Sequence, residues 1–194
     1  AETEKYAHIT YFLNGGIENP FPGEDRILIP STETTHFDET PAMRAREITD
    51  TIIEKYSAYD VIFANFANAD MIGHSGNYEA AVKTVEVLDE CIKRLSEHTL
   101  KTDGAMVITA DHGNIELKRN RQTGEKLTEH SLNPVPFIIV SHDTKLVRER
   151  TPHEVKKIQS ETKGILIDVA PTILGILGIK KPDDMTGKSI LEAL

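Results

Sequence analysis

Residues 105–114 have the sequence Ala-Met-Val-Ile-Thr-Ala-Asp-His-Gly-Asn, and this stretch carries the clearest indication of the fold. Its first six residues are almost all apolar, which predicts a short strand in the interior of a sheet. The strand is predicted to end at Asp111, which is followed at once by His112. In α/β proteins ligands lie at the carboxyl ends of strands, so this pair of side chains indicates where a functional site is to be expected.

Apolar runs and helical patterns alternate along the rest of the chain. Strands are also predicted over residues 6–13, 60–66 and 136–141, and helices over residues 41–56, 77–98 and 165–177. In the helix at 77–98 the apolar side chains recur at steps of three and four residues, as on one face of a helix. Apolar strands that alternate with helices predict an α/β fold, with a mainly parallel sheet between two helical layers in a three-layer αβα arrangement.

The length and charge of the chain narrow the class of protein. Its 194 residues suit one sizeable domain, and no linker or internal repeat divides them. With 22 basic and 31 acidic residues, the net charge of −9 argues against nonspecific nucleic-acid binding, which needs a basic surface. No apolar run reaches the roughly 20 residues of a membrane helix, and the first residues lack the apolar segment of a signal peptide, so we expect neither. Cys91 is the single cysteine, which favours a reducing compartment. Together, the charge, the short apolar runs and the single cysteine predict a cytoplasmic protein that binds neither nucleic acid nor a membrane.

Five aspartate and histidine side chains lie near the ends of predicted strands. They are Asp70 and His74 after the strand at 60–66, Asp111 and His112 after the strand at 105–110, and His130 before the strand at 136–141. Asp70 and His74 are four residues apart, so one helical turn would place both on the same face. Carboxylate and imidazole ligands suit Mn²⁺, Zn²⁺ and Fe²⁺. Since two such ions about 3.5–4 Å apart are the usual arrangement for phosphoryl transfer, the residues favour that chemistry.

Each of these motifs also has a simpler interpretation. An aspartate and a histidine four residues apart are most often surface residues, and Asp-His-Gly-Asn is compatible with a polar turn after a strand. The adjacent Asp111 and His112 can face two different ions or converge on one. The metal interpretation is favoured because the three groups occur together, each beside a predicted strand.

Short motifs with a characteristic order and spacing extend over nearly the whole chain. They are Glu4-Lys5-Tyr6-Ala7-His8 before Asn14-Gly15-Gly16, residues 65–74 (Asn-Phe-Ala-Asn-Ala-Asp-Met-Ile-Gly-His), residues 109–114 (Thr-Ala-Asp-His-Gly-Asn) and residues 130–137 (His-Ser-Leu-Asn-Pro-Val-Pro-Phe). Together they resemble the cofactor-independent phosphoglycerate mutases. The end of the chain, with Asp-Val-Ala-Pro-Thr at 168–172 and Gly-Lys-Ser at 187–189, is similar to the closing segment of the wider alkaline phosphatase superfamily.

The resemblance implies an alkaline-phosphatase-like fold with two bound manganese ions, for which Zn²⁺, Mg²⁺ or Co²⁺ are the alternatives. One ion would be held by Asp70, His74 and His130. The other would be held by Asp111 and His112, together with an aspartate and a nucleophilic serine from an N-terminal segment of the family.

The reaction that the resemblance implies interconverts 2- and 3-phosphoglycerate in glycolysis, without 2,3-bisphosphoglycerate. A serine takes the phosphoryl group from one hydroxyl of the substrate, the bound glycerate reorients, and the group returns to the other hydroxyl. Lys5 matches a lysine of the family that lies near the substrate phosphate. The alternative is a solvated lysine near the start of the sequence.

The resemblance covers the C-terminal portion of the family's phosphatase-like domain, so residues 1–194 are expected to be part of a longer enzyme. The family's first strand, its nucleophilic serine and its inserted transferase domain have no counterpart in the sequence, and no catalytic residue is assigned. Ser75 and Ser131 stand beside expected ligands, but the resemblance gives them no nucleophilic role. The chain alone is expected to be inactive, and to be a monomer unless the edge left by the missing strand lets it self-associate.

Two other functions compete with this one. The chain could be part of a different metal-dependent phosphomutase or phosphatase of the same superfamily. It could also be a non-catalytic metal-binding module, in which the helix at 77–98 offers a surface to a partner.

Overall fold

The structure, a computed structural model, describes residues 1–120, 122–144 and 148–193. Within these residues the helices are α1 Ala45–Lys55, α2 Asn68–Gly73, α3 Tyr78–Lys101, α4 Pro152–Gln159 and α5 Val169–Ile176, and the strands are β1 Met106–Thr109 and β2 Phe137–Val140. The chain divides into two compact units: the first is Ala1–His98 with Gly113–Leu132, and the second is Thr99–His112 with Asn133–Leu194. No helix of the described part combines the length and the apolar character needed to span a membrane.

The core of the first unit lies around α2 and the start of α3. Its buried residues are Ile72, Ala80 and Ala81, against which Phe37, Met43, Met71 and Ile115 pack. The side-chain oxygen of Asn77 accepts a hydrogen bond from the backbone N–H of Ala80 at 3.2 Å, which caps the first turn of α3. α1 and α3 confirm the helices predicted over residues 41–56 and 77–98.

β1 and β2 pair with each other in the second unit, and the pairing is antiparallel. Met106 lies opposite Val140, and Thr109 lies opposite Phe137. Both strands confirm predicted ones, but their pairing, which forms the only sheet among the described residues, is antiparallel, so it does not confirm the mainly parallel sheet. An apolar run does not fix the direction of a strand, and the residues of both strands are half-buried or exposed rather than buried on both faces.

The helices of the second unit are α4 and α5. α4, which the sequence analysis did not predict, begins with a capping box. The hydroxyl of Thr151 accepts from the N–H of Glu154 at 3.3 Å, and the carboxylate of Glu154 accepts from the N–H of Thr151 at 2.8 Å. The helix predicted over residues 165–177 is present as a 3₁₀ turn, Leu166–Asp168, followed by α5.

Two predicted strands do not form. Residues 6–13 are helical instead: His8–Phe12 form a turn of π-helix, and the N–H of Asn14 donates to the carbonyl of Thr10 at 2.9 Å. Residues 60–66 belong to no regular helix or strand. A strand is stabilised by hydrogen bonds to a neighbouring strand, and an aromatic and β-branched composition does not by itself supply that neighbour. Local hydrogen bonds therefore decide the conformation at 6–13.

Candidate metal centre

Two segments of the first unit bring Asp70, His74 and His130 together. Asp70 lies inside α2 and His74 directly follows its last residue, so one helical turn places both side chains on the same face. His130 follows a turn that is closed by an isolated bridge between Arg119 and Lys126. The fold thus joins Asp70 to a histidine 60 positions further along the chain.

The nearest side-chain atoms of these three residues form a nearly equilateral triangle. Oδ1 of Asp70 lies 3.0 Å from Nε2 of His130 and 3.1 Å from Nε2 of His74, and the two Nε2 atoms are 3.2 Å apart. Ligand atoms that bind one ion at about 2.0–2.2 Å are separated from one another by about 2.9–3.5 Å. The triangle therefore fits a single divalent cation, held by one carboxylate and two imidazoles.

The ring of His74 is oriented by a backbone carbonyl. Its Nδ1 lies 2.7 Å from the carbonyl oxygen of Thr128, which can only accept a hydrogen bond, so Nδ1 carries the proton and donates it. In the neutral ring Nε2 then presents its lone pair to the Asp70–His130 side of the centre. An outer partner of this kind fixes the tautomer and the orientation of a metal-binding histidine.

Asp70 is kept in its charged form by two hydrogen-bond donors. Nζ of Lys5 donates to Oδ2 at 2.6 Å, and Nδ2 of Asn114 donates to Oδ1 at 2.8 Å. Burial acts to raise the pKa of Asp70, but the hydrogen bonds from Lys5 and Asn114 and the charge of Lys5 hold that pKa well below its usual range. An ionised carboxylate binds a cation without first losing a proton.

A buried lysine, Lys118, contacts Asn114 at the other end of its carboxamide. Lys118 is 4% exposed, and its Nζ donates to Oδ1 of Asn114 at 2.5 Å and to the carbonyl of Gly73 at 2.8 Å. Burial lowers the pKa of Lys118, while the carboxylates of Glu116 and Asp70 act in the opposite direction. Lys118, Asn114 and Asp70 therefore form one chain of hydrogen bonds that ends at a candidate ligand.

Glu116 connects Asn114 to the segment that carries His130. Its carboxylate accepts one hydrogen bond from the N–H of Asn114 at 2.7 Å and another from the hydroxyl of Ser131. The N–H of Ser131 in turn donates to the carbonyl of Gly113 at 2.8 Å. Because Ser131 is the next residue after His130, these contacts help to set the position of that imidazole.

The candidate ligands are open to solvent on one side. A hollow of about 550 Å³ is lined by His74, Thr128, Glu129 and His130. The side chains of His74 and His130 are 45% and 47% exposed, whereas that of Asp70 is 15% exposed. An ion held by these three side chains would therefore be accessible to a bound molecule.

Four of the six residues named from the sequence meet at this centre, namely Lys5, Asp70, His74 and His130. Asp111 and His112 belong to the second unit, where Nε2 of His112 lies 3.5 Å from Oδ2 of Asp111. Their role as ligands of a second ion stays a prediction.

The sequence analysis assigned no role to Asn114, Glu116 or Lys118. Asn114 is the last residue of the Asp-His-Gly-Asn motif, and its side-chain amide is a group that readily forms hydrogen bonds. Lys118 lies in a polar stretch rich in basic residues, a pattern that is typical of exposed loops and gave no sign of its burial.

Comparison with known proteins agrees with a metal centre. A family profile described as the Metalloenzyme superfamily matches residues 1–181. The chain belongs to the metalloenzyme superfamily. Two relatives named 2,3-bisphosphoglycerate-independent phosphoglycerate mutase are similar to it: one from Pseudomonas fluorescens is 51% identical over 193 residues, and one from Clostridium botulinum is 46% identical over 194 residues. The alignments cover 98% and 99% of this chain but 35% and 36% of the relatives, so the chain spans about a third of their length.

A solved structure from the same comparison supports the fold. The structure of Leishmania mexicana phosphoglycerate mutase at low cobalt concentration matches 97% of this chain and 36% of that chain, with a TM-score of 0.79 and 30% identity. With the match to the metalloenzyme superfamily, it supports an alkaline-phosphatase-like α/β fold. Membership of that superfamily and the cluster of Asp70, His74 and His130 both point to divalent metal ions.

Because the pKa of Asp70 is lowered in the folded chain, we expect the free energy of unfolding to depend on pH. Because the folded-state pKa lies below the unfolded value of about 3.9, the contribution of Asp70 is complete above about pH 5 and is lost as the pH falls through the acidic range. We expect the difference in free energy of unfolding between the unaltered chain and Asp70→Asn to be larger at pH 6 than at pH 3. Urea unfolding in the presence of a chelator measures it, and an equal difference at both pH values would contradict the prediction.

Proposed function

We propose that this chain supplies the metal-binding part of a 2,3-bisphosphoglycerate-independent phosphoglycerate mutase, an isomerase that interconverts 2- and 3-phosphoglycerate. The observation that carries the proposal is the triangle of Asp70, His74 and His130, with ligand atoms 3.0–3.2 Å apart. Similarity to relatives that bear this enzyme's name supports it over 98% of the chain. A cytoplasmic role in glycolysis and a mainly parallel sheet in the complete enzyme belong to the same proposal.

The ligand assignment follows from the donor atoms for the first ion and from the family resemblance for the second. Asp70, His74 and His130 hold one ion, and Asp111 and His112 contribute to a second. Mn²⁺ is the ion we propose from the family resemblance, because carboxylate and imidazole ligands suit Mn²⁺ and Zn²⁺ alike, and Zn²⁺, Mg²⁺ and Co²⁺ are its competitors. When bound, a divalent ion supplies positive charge that polarises a phosphoryl oxygen. In a chain of net charge −9, such ions would also attract an anionic substrate.

Lys5 is the residue of this chain that we assign to the substrate phosphate. Its Nζ lies 2.6 Å from Oδ2 of Asp70, and its side chain is 14% exposed, so the ammonium group is fixed at the edge of the metal centre. A lysine ammonium is a compact charge with three donors, which suits a phosphate group. Lys5 would hold the phosphoglycerate while sharing its charge with Asp70.

The proposal assigns the phosphoryl-accepting serine to none of these 194 residues. The hydroxyl of Ser75 donates to the carbonyl of Ile72 at 2.7 Å and accepts from the N–H of Asn77 at 3.1 Å, which is a structural role at the end of α2. The hydroxyl of Ser131 donates to Glu116. Neither donates its proton to a histidine in these contacts. The 194-residue chain alone is therefore expected to show no mutase turnover.

A segment exchange tests this proposal. In the P. fluorescens relative, the segment that aligns with this chain is replaced by residues 1–194, which are 51% identical to it over 193 residues. We expect the chimaera to interconvert 2- and 3-phosphoglycerate with Mn²⁺, and His74→Ala in the chimaera to reduce kcat by about 1000-fold, since the charge of a bound ion is worth several kcal/mol. A folded chimaera that binds Mn²⁺ but has no turnover would contradict the mutase assignment.

A further inference from the structure

Lys118 is buried although it carries a charge that water would solvate well. It is 4% exposed, and burying an ammonium group is costly unless hydrogen bonds compensate. Its Nζ donates to Oδ1 of Asn114 at 2.5 Å and to the carbonyl of Gly73 at 2.8 Å. Gly73 is the last residue of α2, where backbone carbonyls lack helical partners, so the ammonium group caps the helix that carries Asp70.

The contact with Lys118 determines which way the carboxamide of Asn114 points. Lysine can only donate, so the atom that it contacts must be the oxygen, and the amide nitrogen is left for Asp70. That nitrogen donates to Oδ1 of Asp70 at 2.8 Å and to the carbonyl of Asp70 at 3.2 Å. With the amide reversed, its oxygen would face two acceptors of Asp70.

We propose that Lys118 is a positioning residue of the metal centre, which acts through Asn114 to hold Oδ1 of Asp70 in place for the ion. This inference rests on the proposed function, because it assumes that Asp70 binds a metal. Donation from Lys118 also polarises the carboxamide, which strengthens the bond that its Nδ2 makes to the carboxylate. Lys118 touches neither substrate nor ion in this role.

The charge of Lys118 and its contact with Asn114 have opposite expected effects on metal affinity when Lys118 is replaced. A buried cation near a metal ion repels it, so if only charge mattered, Lys118→Met would bind the ion more tightly. If Lys118 positions Asp70, the same substitution weakens binding, because Asn114 is then free to rotate. Outer partners of metal ligands contribute about 10- to 100-fold to affinity.

The experiment is a double-mutant cycle with Co²⁺ as the probe, read by calorimetry and by the visible absorption spectrum at saturation. We expect Lys118→Met and Asn114→Ala each to weaken Co²⁺ binding about 10-fold and to alter the spectrum. The double variant should be no weaker than Asn114→Ala, because both act through one amide. Lys126→Met is the matched control, since it removes the same charge from an exposed lysine of the neighbouring turn.

The outcomes separate this inference from the proposed function. Unchanged or tighter binding by Lys118→Met, unchanged binding by Asn114→Ala, or additive effects in the double variant would overturn the role of Lys118 and leave the metal site standing. Should Lys118→Met fail to unfold cooperatively, Asn114→Ala still decides, because the inference requires it to lose affinity. Failure of the unaltered chain to bind Co²⁺ would overturn both the inference and the metal assignment.

Discussion

Replacing Asp70 by asparagine is expected to remove most of the Mn²⁺ affinity of the metal centre. Asp70 is the only carboxylate of the Asp70–His74–His130 cluster, and asparagine keeps its shape while removing its charge. The Nζ of Lys5, which lies 2.6 Å from Oδ2, would then lose its counter-charge and repel the ion. We expect the Kd for Mn²⁺, measured by calorimetry, to rise by about 1000-fold, equivalent to about 4 kcal/mol.

A matched control for this prediction lies on α3. Asp89 is exposed, so Asp89→Asn removes the same charge without touching the centre and should leave the Kd unchanged. Equal affinities for Asp70→Asn and the unaltered chain would show that the ion binds elsewhere.

Gly73→Ala is expected to destabilise the chain, although alanine is normally the better helix residue by about 1 kcal/mol. A Cβ at position 73 would clash with Oδ1 of Asn114 and would lie 2.5 Å from its Cγ and 2.8 Å from its Nδ2, closer than nonbonded atoms approach. Asn114 is 5% exposed and bonded to Asp70 and Lys118, so it cannot move aside without losing hydrogen bonds. We expect a loss of about 2–3 kcal/mol in urea unfolding, and Mn²⁺ binding about 10- to 100-fold weaker.

The effect of Gly73→Ala should depend on the side chain of Asn114. In an Asn114→Ala background the three atoms that would clash are gone, so Gly73→Ala should no longer destabilise and should follow helix propensity. If Gly73→Ala stabilises the chain with Asn114 in place, the side chain of Asn114 does not pack closely against Gly73.

Helices were predictable because their information is local. The apolar spacing within residues 77–98 is itself the face that packs, and α3 ends within three residues of the predicted end, at Lys101. α4 is not predicted although Thr151 and Glu154 form a capping box, because the helix is short and mostly polar and none of its residues is buried.

Strand pairing was less predictable because it depends on distant residues. The strands predicted over residues 105–110 and 136–141 form as β1 and β2, but their antiparallel pairing joins residues as far apart as Thr109 and Phe137, which the apolar pattern does not describe. The segment at 6–13 has a strand-like composition, yet the hydrogen bonds it makes are local and helical.

In the candidate centre, too, local contacts were predictable and long-range contacts were not. The four-residue spacing of Asp70 and His74 predicts a shared helix face, which α2 provides. The contacts of Asn114 with Asp70 and of Lys118 with Gly73 join residues 44 and 45 positions apart, and no local pattern encodes them. The candidate ligands are therefore accessible to sequence reasoning, whereas the residues that orient them are not.

The short distance between His74 and His130 has a consequence for the folding of the chain. These imidazoles are 56 positions apart, so an ion bound by both would act as a reversible cross-link that closes a long loop. A permanent link around a loop of that size removes unfolded-state entropy worth about 4 kcal/mol. A dissociable ion stabilises instead with the logarithm of its free concentration, by about 2.7 kcal/mol at a hundred times its Kd. The thermal midpoint of this chain is therefore expected to rise with the concentration of free metal.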